Sequence, residues 1–103
     1  MPIDGGKYEF TLQNLNKAPD KAGVYALFDG NEIIYYGRAQ GGDVTIRSRL
    51  KDHKSGREGS CTSNASHYMR EVTSSPVKRE QELLEEYKQT HNGKLPRCND
   101  RVG

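Results

Sequence analysis

Two phenols, a guanidinium, an imidazole and a carboxylate stand at spacings that a small fold could gather. Tyr25 and Tyr35 lie on two β-like runs in the stretch GVYALFDGNEIIYYG, residues 23–37. Arg49 and His53 are i, i+4 on a helical pattern and so occupy adjoining parts of one face. Glu80 falls on the apolar stripe of a later helix, where the 3.6-residue period asks for a hydrophobe. A guanidinium is a planar, permanent cation that matches a phosphate. A carboxylate can hold Mg²⁺ or Mn²⁺ with waters completing the shell. A phenol becomes a base only where nearby cations lower its pKa. Each residue also has a plain structural reading: a cross-strand aromatic pair, a solvated helix arginine, a half-buried helix histidine. Glu80 is the hardest to explain that way, because an exposed glutamate conflicts with the stripe it occupies.

The elements that would position these groups can be read along the chain. Gly23–Phe28 and 32–36 are rich in β-branched and aromatic residues, and Asp29-Gly30-Asn31 between them is turn chemistry. A three-residue turn pairs Phe28 with Glu32 and sets Tyr25 opposite Tyr35 on one face. A two-residue turn would shift the pairing by one and oppose Ile34 or Tyr36 to Tyr25. The three-residue turn is the expectation. A helix is predicted over 44–54, capped by Asp43, with Ile46, Leu50 and His53 as its stripe. Residues 54–66 read as loop and 67–72 as a third strand. A second helix over 76–91 starts at Ser75-Pro76 and stops at Asn92-Gly93, with Val77, Glu80, Leu83, Leu84 and Tyr87 along its stripe. A weaker helical pattern surrounds Leu12 and Leu15. The fold class predicted is a small α/β (α+β) domain, with a three-stranded, mainly antiparallel sheet flanked by helices. The chain, 1–103, reads as one domain with its motif-bearing core at about 21–99.

Composition narrows the function. With 32% hydrophobic residues and no Trp the core is small, while 29% charged residues of mixed sign suit a folded, water-exposed chain. No apolar run approaches the ~20 residues that span a bilayer, and no signal peptide is readable, so no membrane association and a cytoplasmic location are expected. Cys61 and Cys98 form no C-x-x-C pair, and two reduced thiols are expected. Net charge is only +2, yet Arg38, Arg47, Arg49, Lys51, Lys54 and Arg57 outnumber Asp43, Asp52 and Glu58 by three between 38 and 59. That local excess suits a phosphate backbone. GRAQGG lacks the G-K-[ST] ending of a P-loop.

Together the segments GVY (23–25), YYG (35–37), RLKDH (49–53), REQELLEEY (79–87) and LPRCN (95–99) resemble the GIY-YIG nuclease family. G-x-Y and Y-x-G pairs alone arise by chance; five elements in the right order are far more specific. Tyr36 stands where that family has Ile, Arg38 where Lys is usual, and the segments after Gly37 and Tyr87 are longer. The resemblance implies a DNA endonuclease that hydrolyses phosphodiester bonds with one divalent ion, Mg²⁺ or Mn²⁺, held by Glu80. Arg49 would stabilise the scissile phosphate, Tyr25 would serve as general base with its pKa lowered by nearby cations, and Tyr35 would orient the water or phosphate. His53 would hydrogen-bond a tyrosine or phosphate, and Asn99 would brace the site. Arg38, Arg47, Lys51, Lys54 and Arg57 would contact DNA. The alternative is a module that binds nucleic acid on the same scaffold without cutting it.

Overall fold

A computed structural model describes residue 3 and residues 5–99. In chain order the elements are β1 (Tyr8–Glu9), α1 (Leu12–Leu15), β2 (Gly23–Asp29), β3 (Glu32–Ala39), α2 (Ile46–Lys54), α3 (Ser60–Ser63), β4 (His67–Val72) and α4 (Pro76–Thr90). The strands form one four-stranded antiparallel sheet in the order β1-β4-β2-β3, so the fold is α+β. The expected count of three strands is corrected by β1, which adds to β4 through Tyr8↔Tyr68 and Glu9↔His67. Two residues are too short to carry a period of two, so nothing in the pattern marks them.

Strand β2 is central, and every residue from Gly23 to Phe28 is buried. Burial on both faces explains its near-continuous apolar run. Tyr25 and Leu27 pack with Leu15, Ile46 and Leu50 on the α1/α2 side. Val24, Ala26 and Phe28 pack with Tyr36 and Leu83 on the α4 side.

The β2–β3 hairpin departs from the expected register. Gly30-Asn31 is a two-residue turn between Asp29 and Glu32, with Gly30 at φ 63°. Unbroken, that register would send Tyr25 and Tyr35 to opposite faces. A β-bulge intervenes: Phe28 pairs with Ile33 but Leu27 pairs with Tyr35, so Ile34 is the extra residue. Consecutive residues Ile34 and Tyr35 therefore both face the α2 side. Beyond the bulge Tyr25 pairs with Gly37, not with Tyr35. The tyrosines share a face after all, diagonally rather than directly opposed.

Close approach explains both motif glycines. A Cβ on Gly37 would overlap the Tyr25 ring, and one on Gly23 would overlap the Glu71 carbonyl oxygen and the Ile46 side chain.

Helix α2 begins later than expected. Its cap is Thr45, not Asp43: Thr45 Oγ1 accepts from the Ser48 amide at 3.2 Å and Ser48 Oγ accepts from the Thr45 amide at 2.9 Å, a capping box. In α4, Ser75 occupies the cap position but makes no side-chain capping bond, and Val77 is 43% exposed, off the buried stripe. The predicted stop holds, with Asn92 at φ 57° and Gly93 at φ 80°. The 54–66 segment is not all loop, since it contains α3.

The cysteines also depart from expectation. Cys61, on α3, forms a disulfide with Cys98, their Cα atoms 5.8 Å apart. Cys98 is brought there because the C-terminal segment runs along the outer edge of β3. The Cys98 amide donates to the Ile34 carbonyl at 2.8 Å. Separation of 37 residues hides that proximity in the sequence.

Candidate active site

Three stretches of chain meet beside the end of β3. Tyr35 and Arg38 come from β3, Arg49 from the first turn of α2, and Glu80 from α4. With Gln40 and Val44 they line one cleft of about 340 Å³. A larger groove of about 730 Å³ along α4 is lined by Lys78, Leu84, Glu85 and Lys88 among others, and none of the predicted site residues lies in it.

The cleft is electrostatically paired. Arg38 Nη1 lies 2.7 Å from Glu80 Oε1. Arg49 Nη1 lies 3.4 Å from Glu58 Oε2 and 3.6 Å from Asp52 Oδ2. Partial burial pulls the Arg49 pKa down, but Tyr25 and Glu58 together raise it by more. Glu58 was not legible beforehand, because an acid in an irregular segment has no period to place it. Asp52 was readable as the i+3 neighbour of Arg49.

Behind the cleft lies a sealed aromatic group. Tyr25 is fully buried, with its ring centroid 6.2 Å from that of Tyr35 and 5.6 Å from that of His53. Tyr25 Oη and His53 Nε2 are 2.9 Å apart, and His53 Nδ1 and Thr62 Oγ1 are 2.8 Å apart. Burial pushes the His53 pKa down to about 4, with the Arg49 charge acting in the same sense. His53 is therefore a neutral imidazole at pH 7. The expected lowering of the Tyr25 pKa is reversed. Burial raises it strongly and Tyr35 adds to this, while the Arg49 cation opposes without prevailing. Tyr35 is also raised by burial, against the pull of Arg49, but it reaches the cleft.

The remaining predicted residues divide. Asn99 touches no cleft group; its side chain accepts from the Tyr36 amide at 2.8 Å and donates to the Tyr36 carbonyl at 2.9 Å. It braces β3 from the edge. Arg47 donates to the Ala18 carbonyl at 2.9 Å, and Lys54 sits 5.2 Å above the Phe10 ring. Arg57 pairs with Asp52 at 3.9 Å. None of these, nor Lys51, lines the cleft, so the +3 local balance resolves into two cleft arginines and several groups employed elsewhere.

Glu80 fits a divalent ion of the Mg²⁺ kind: it is a carboxylate in an open cleft, and such ions are commonly held by one or two carboxylates with several waters retained. Among the described residues no three His, Cys, Asp or Glu side chains cluster, and Glu80 is the carboxylate among the residues that line the cleft. Arg38 occupies the same carboxylate and would have to yield it. Among the described residues no helix is long and apolar enough to cross a membrane. No family model matches the chain, and no curated protein is significantly similar to it. The likeness to GIY-YIG nucleases thus rests on the residues themselves.

Proposed function

We propose that the protein is a metal-dependent endonuclease that hydrolyses DNA phosphodiester bonds in the Tyr35–Arg38–Arg49–Glu80 cleft. One observation carries this reading: a hairpin tyrosine, a helix arginine and a stripe-breaking glutamate, remote in sequence, line one cavity. Arg49 presents a permanent charge to the scissile phosphate and stabilises the negative charge that builds as phosphorus becomes five-coordinate. Arg38, also lining the cleft, contacts a flanking phosphate once it leaves Glu80. Tyr35 is the phenol that reaches the cleft, so it orients the attacking water. It would take the water's proton only as the phenolate, which needs an ion on Glu80 to add to the Arg49 charge and outweigh its burial. Tyr25, sealed beneath, is too buried to touch that water and holds the cleft floor through His53. A divalent ion on Glu80 would supply the positive charge that lowers the pKa of a bound water and steadies the leaving oxygen.

The alternative, a module that binds nucleic acid without cutting, draws on the Arg38–Glu80 pair, which engages the carboxylate a metal needs. The cytoplasmic location expected with the nuclease reading sits awkwardly with the Cys61–Cys98 disulfide, since such bonds persist mainly in oxidising compartments.

The test is cleavage of plasmid and branched DNA with Mg²⁺ or Mn²⁺, comparing the protein with its Glu80→Ala variant. Cleavage by the unaltered protein alone is expected, with DNA binding largely retained in the variant. Equal cleavage by both would remove Glu80 from the site. DNA binding without cleavage under either metal would favour the binding module.

A further inference from the structure

Thr62 contributes nothing to the cleft and carries no motif, yet it ends the buried hydrogen-bond run behind it. It is 3% exposed, His53 is 1% exposed, and each finds the other at 2.8 Å. A neutral imidazole has one donor and one acceptor nitrogen, so the sense of either bond fixes the sense of the other. Tyr25, His53 and Thr62 supply three hydrogens to two bonds. A phenol oxygen, conjugated with its ring, offers one good acceptor direction and one donor direction. Arg49 is a donor only, and its charge acts directly on Tyr25, so the Tyr25 lone pair is best turned toward it. The Tyr25 hydroxyl is then left to donate to His53 Nε2, and His53 Nδ1–H donates to Thr62 Oγ1.

We infer that Thr62 is a positioning residue: by accepting from Nδ1–H it holds His53 in the tautomer whose bare Nε2 faces the Tyr25 hydroxyl. Its own place is fixed from next door. Cys61 ties the four-residue α3 to Cys98, and Cys98 and Asn99 are in turn bonded to Ile34 and Tyr36 of β3. One disulfide, together with the hydrogen bonds of Cys98 and Asn99, therefore ties the support of His53 to the strand that carries Tyr35. The consequence for rate rests on the nuclease reading; the tautomer does not.

The experiment labels the full chain with ¹⁵N-histidine and reads the His53 Nδ1 and Nε2 shifts at neutral pH. The samples are the disulfide form, the same protein reduced to two thiols by a dithiol, Thr62→Val and Thr62→Ser. The disulfide form and Thr62→Ser are expected to show protonated Nδ1 and bare Nε2. Thr62→Val is expected to move the proton to Nε2, since a buried Nδ1–H would have lost its acceptor. Reduction is expected to move it partway. A proton on Nε2 in the unaltered disulfide form overturns the assignment, and this arm holds even where Thr62→Val does not fold. Unchanged shifts in a folded Thr62→Val protein overturn it equally. In the cleavage assay Thr62→Val should lower kcat about 10-fold with KM unchanged, the range seen when a supporting hydrogen-bond partner is lost. Tautomer shifts as expected in a protein that never cuts DNA would uphold the role of Thr62 and remove the nuclease reading.

Discussion

The site has two halves built on opposite principles. Tyr25, His53 and Thr62 form a sealed half of neutral groups, each bonded to the next and shut away from water. Tyr35, Arg38, Arg49 and Glu80 form an open half, where charged groups are paired with one another across a cleft. Buried polar groups must be satisfied internally or cost free energy. The sealed half therefore has a single arrangement and gives the cleft its shape. Ion pairs at a surface are held loosely, because water and salt compete for each partner. The open half can exchange its internal partners for a ligand. On the proposed nuclease reading, chemistry on DNA would belong to the open half and geometry to the sealed one.

The tyrosines offer the sharpest way to break that division, one phenol lying in each half. Tyr35→Phe should lower the cleavage rate about 100-fold, the lower end of what a general base contributes. Tyr25→Phe removes one hydrogen bond and should lower the rate by no more than about 10-fold, with a measurable loss of stability. Single-turnover cleavage on both variants, alongside chemical denaturation, separates the two effects. The reverse ranking would return the proton to Tyr25 and make the sealed half the reactive one.

Much of the open half was legible because its residues violate local patterns. Glu80 interrupts an apolar stripe, and Arg49 shares a helical face with His53. The convergence of Tyr25 and Tyr35 was expected from a three-residue turn, and it arises from a two-residue turn plus a bulge at Ile34. Two shifts in register preserve the face, so the expectation reached the right side of the sheet through the wrong pairing. A bulge leaves no mark in residue type at that point. The sealed half was legible only up to His53. Thr62 lies in a stretch of small polar residues, and its role depends on the Cys61–Cys98 link, which joins segments that local patterns treat separately. Charge counting also overlooks local contacts: Arg47 and Lys54 direct their side chains to a carbonyl and a ring.

The sealed half should also fail in acid before the open half does. His53 has a folded pKa of about 4 against an ordinary 6.5, so the unfolded chain takes up a proton first as pH falls. Its contribution is fully present above 6.5 and is lost as pH drops toward 4. Burial is the main cause and Arg49 adds to it, while Glu58 and Asp52 act in the opposite sense. The fall from 6.5 to about 4, which already includes those carboxylates, corresponds to a loss of about 3 kcal/mol. Urea midpoints between pH 7 and 4 read this directly, and His53→Gln should flatten that part of the curve. A profile unchanged by the substitution would mean that His53 is not held neutral by the fold.

The smallest expected effect tests whether the open half exchanges partners. Arg38 Nη1 is 2.7 Å from Glu80, whose side chain is 13% exposed, while that of Arg38 is 40% exposed. On the proposed reading, a divalent ion would have to displace this guanidinium, so the arginine would weaken metal binding until something else engaged it. A phosphate of bound DNA would be such a partner, and metal and DNA should then help each other bind. Arg38→Gln should tighten Mn²⁺ binding without DNA by about 10-fold or less, as expected for a partly exposed pair. The same change should weaken the mutual help between Mn²⁺ and a non-cleavable DNA. Titrating Mn²⁺ by electron paramagnetic resonance, with and without that DNA, measures both quantities, and Glu80→Ala serves as the metal-site control. Unchanged Mn²⁺ affinity in Arg38→Gln would show that Arg38 does not compete with the ion. The pairs of the open half would then be fixtures like those of the sealed half, and the contrast between the two would disappear.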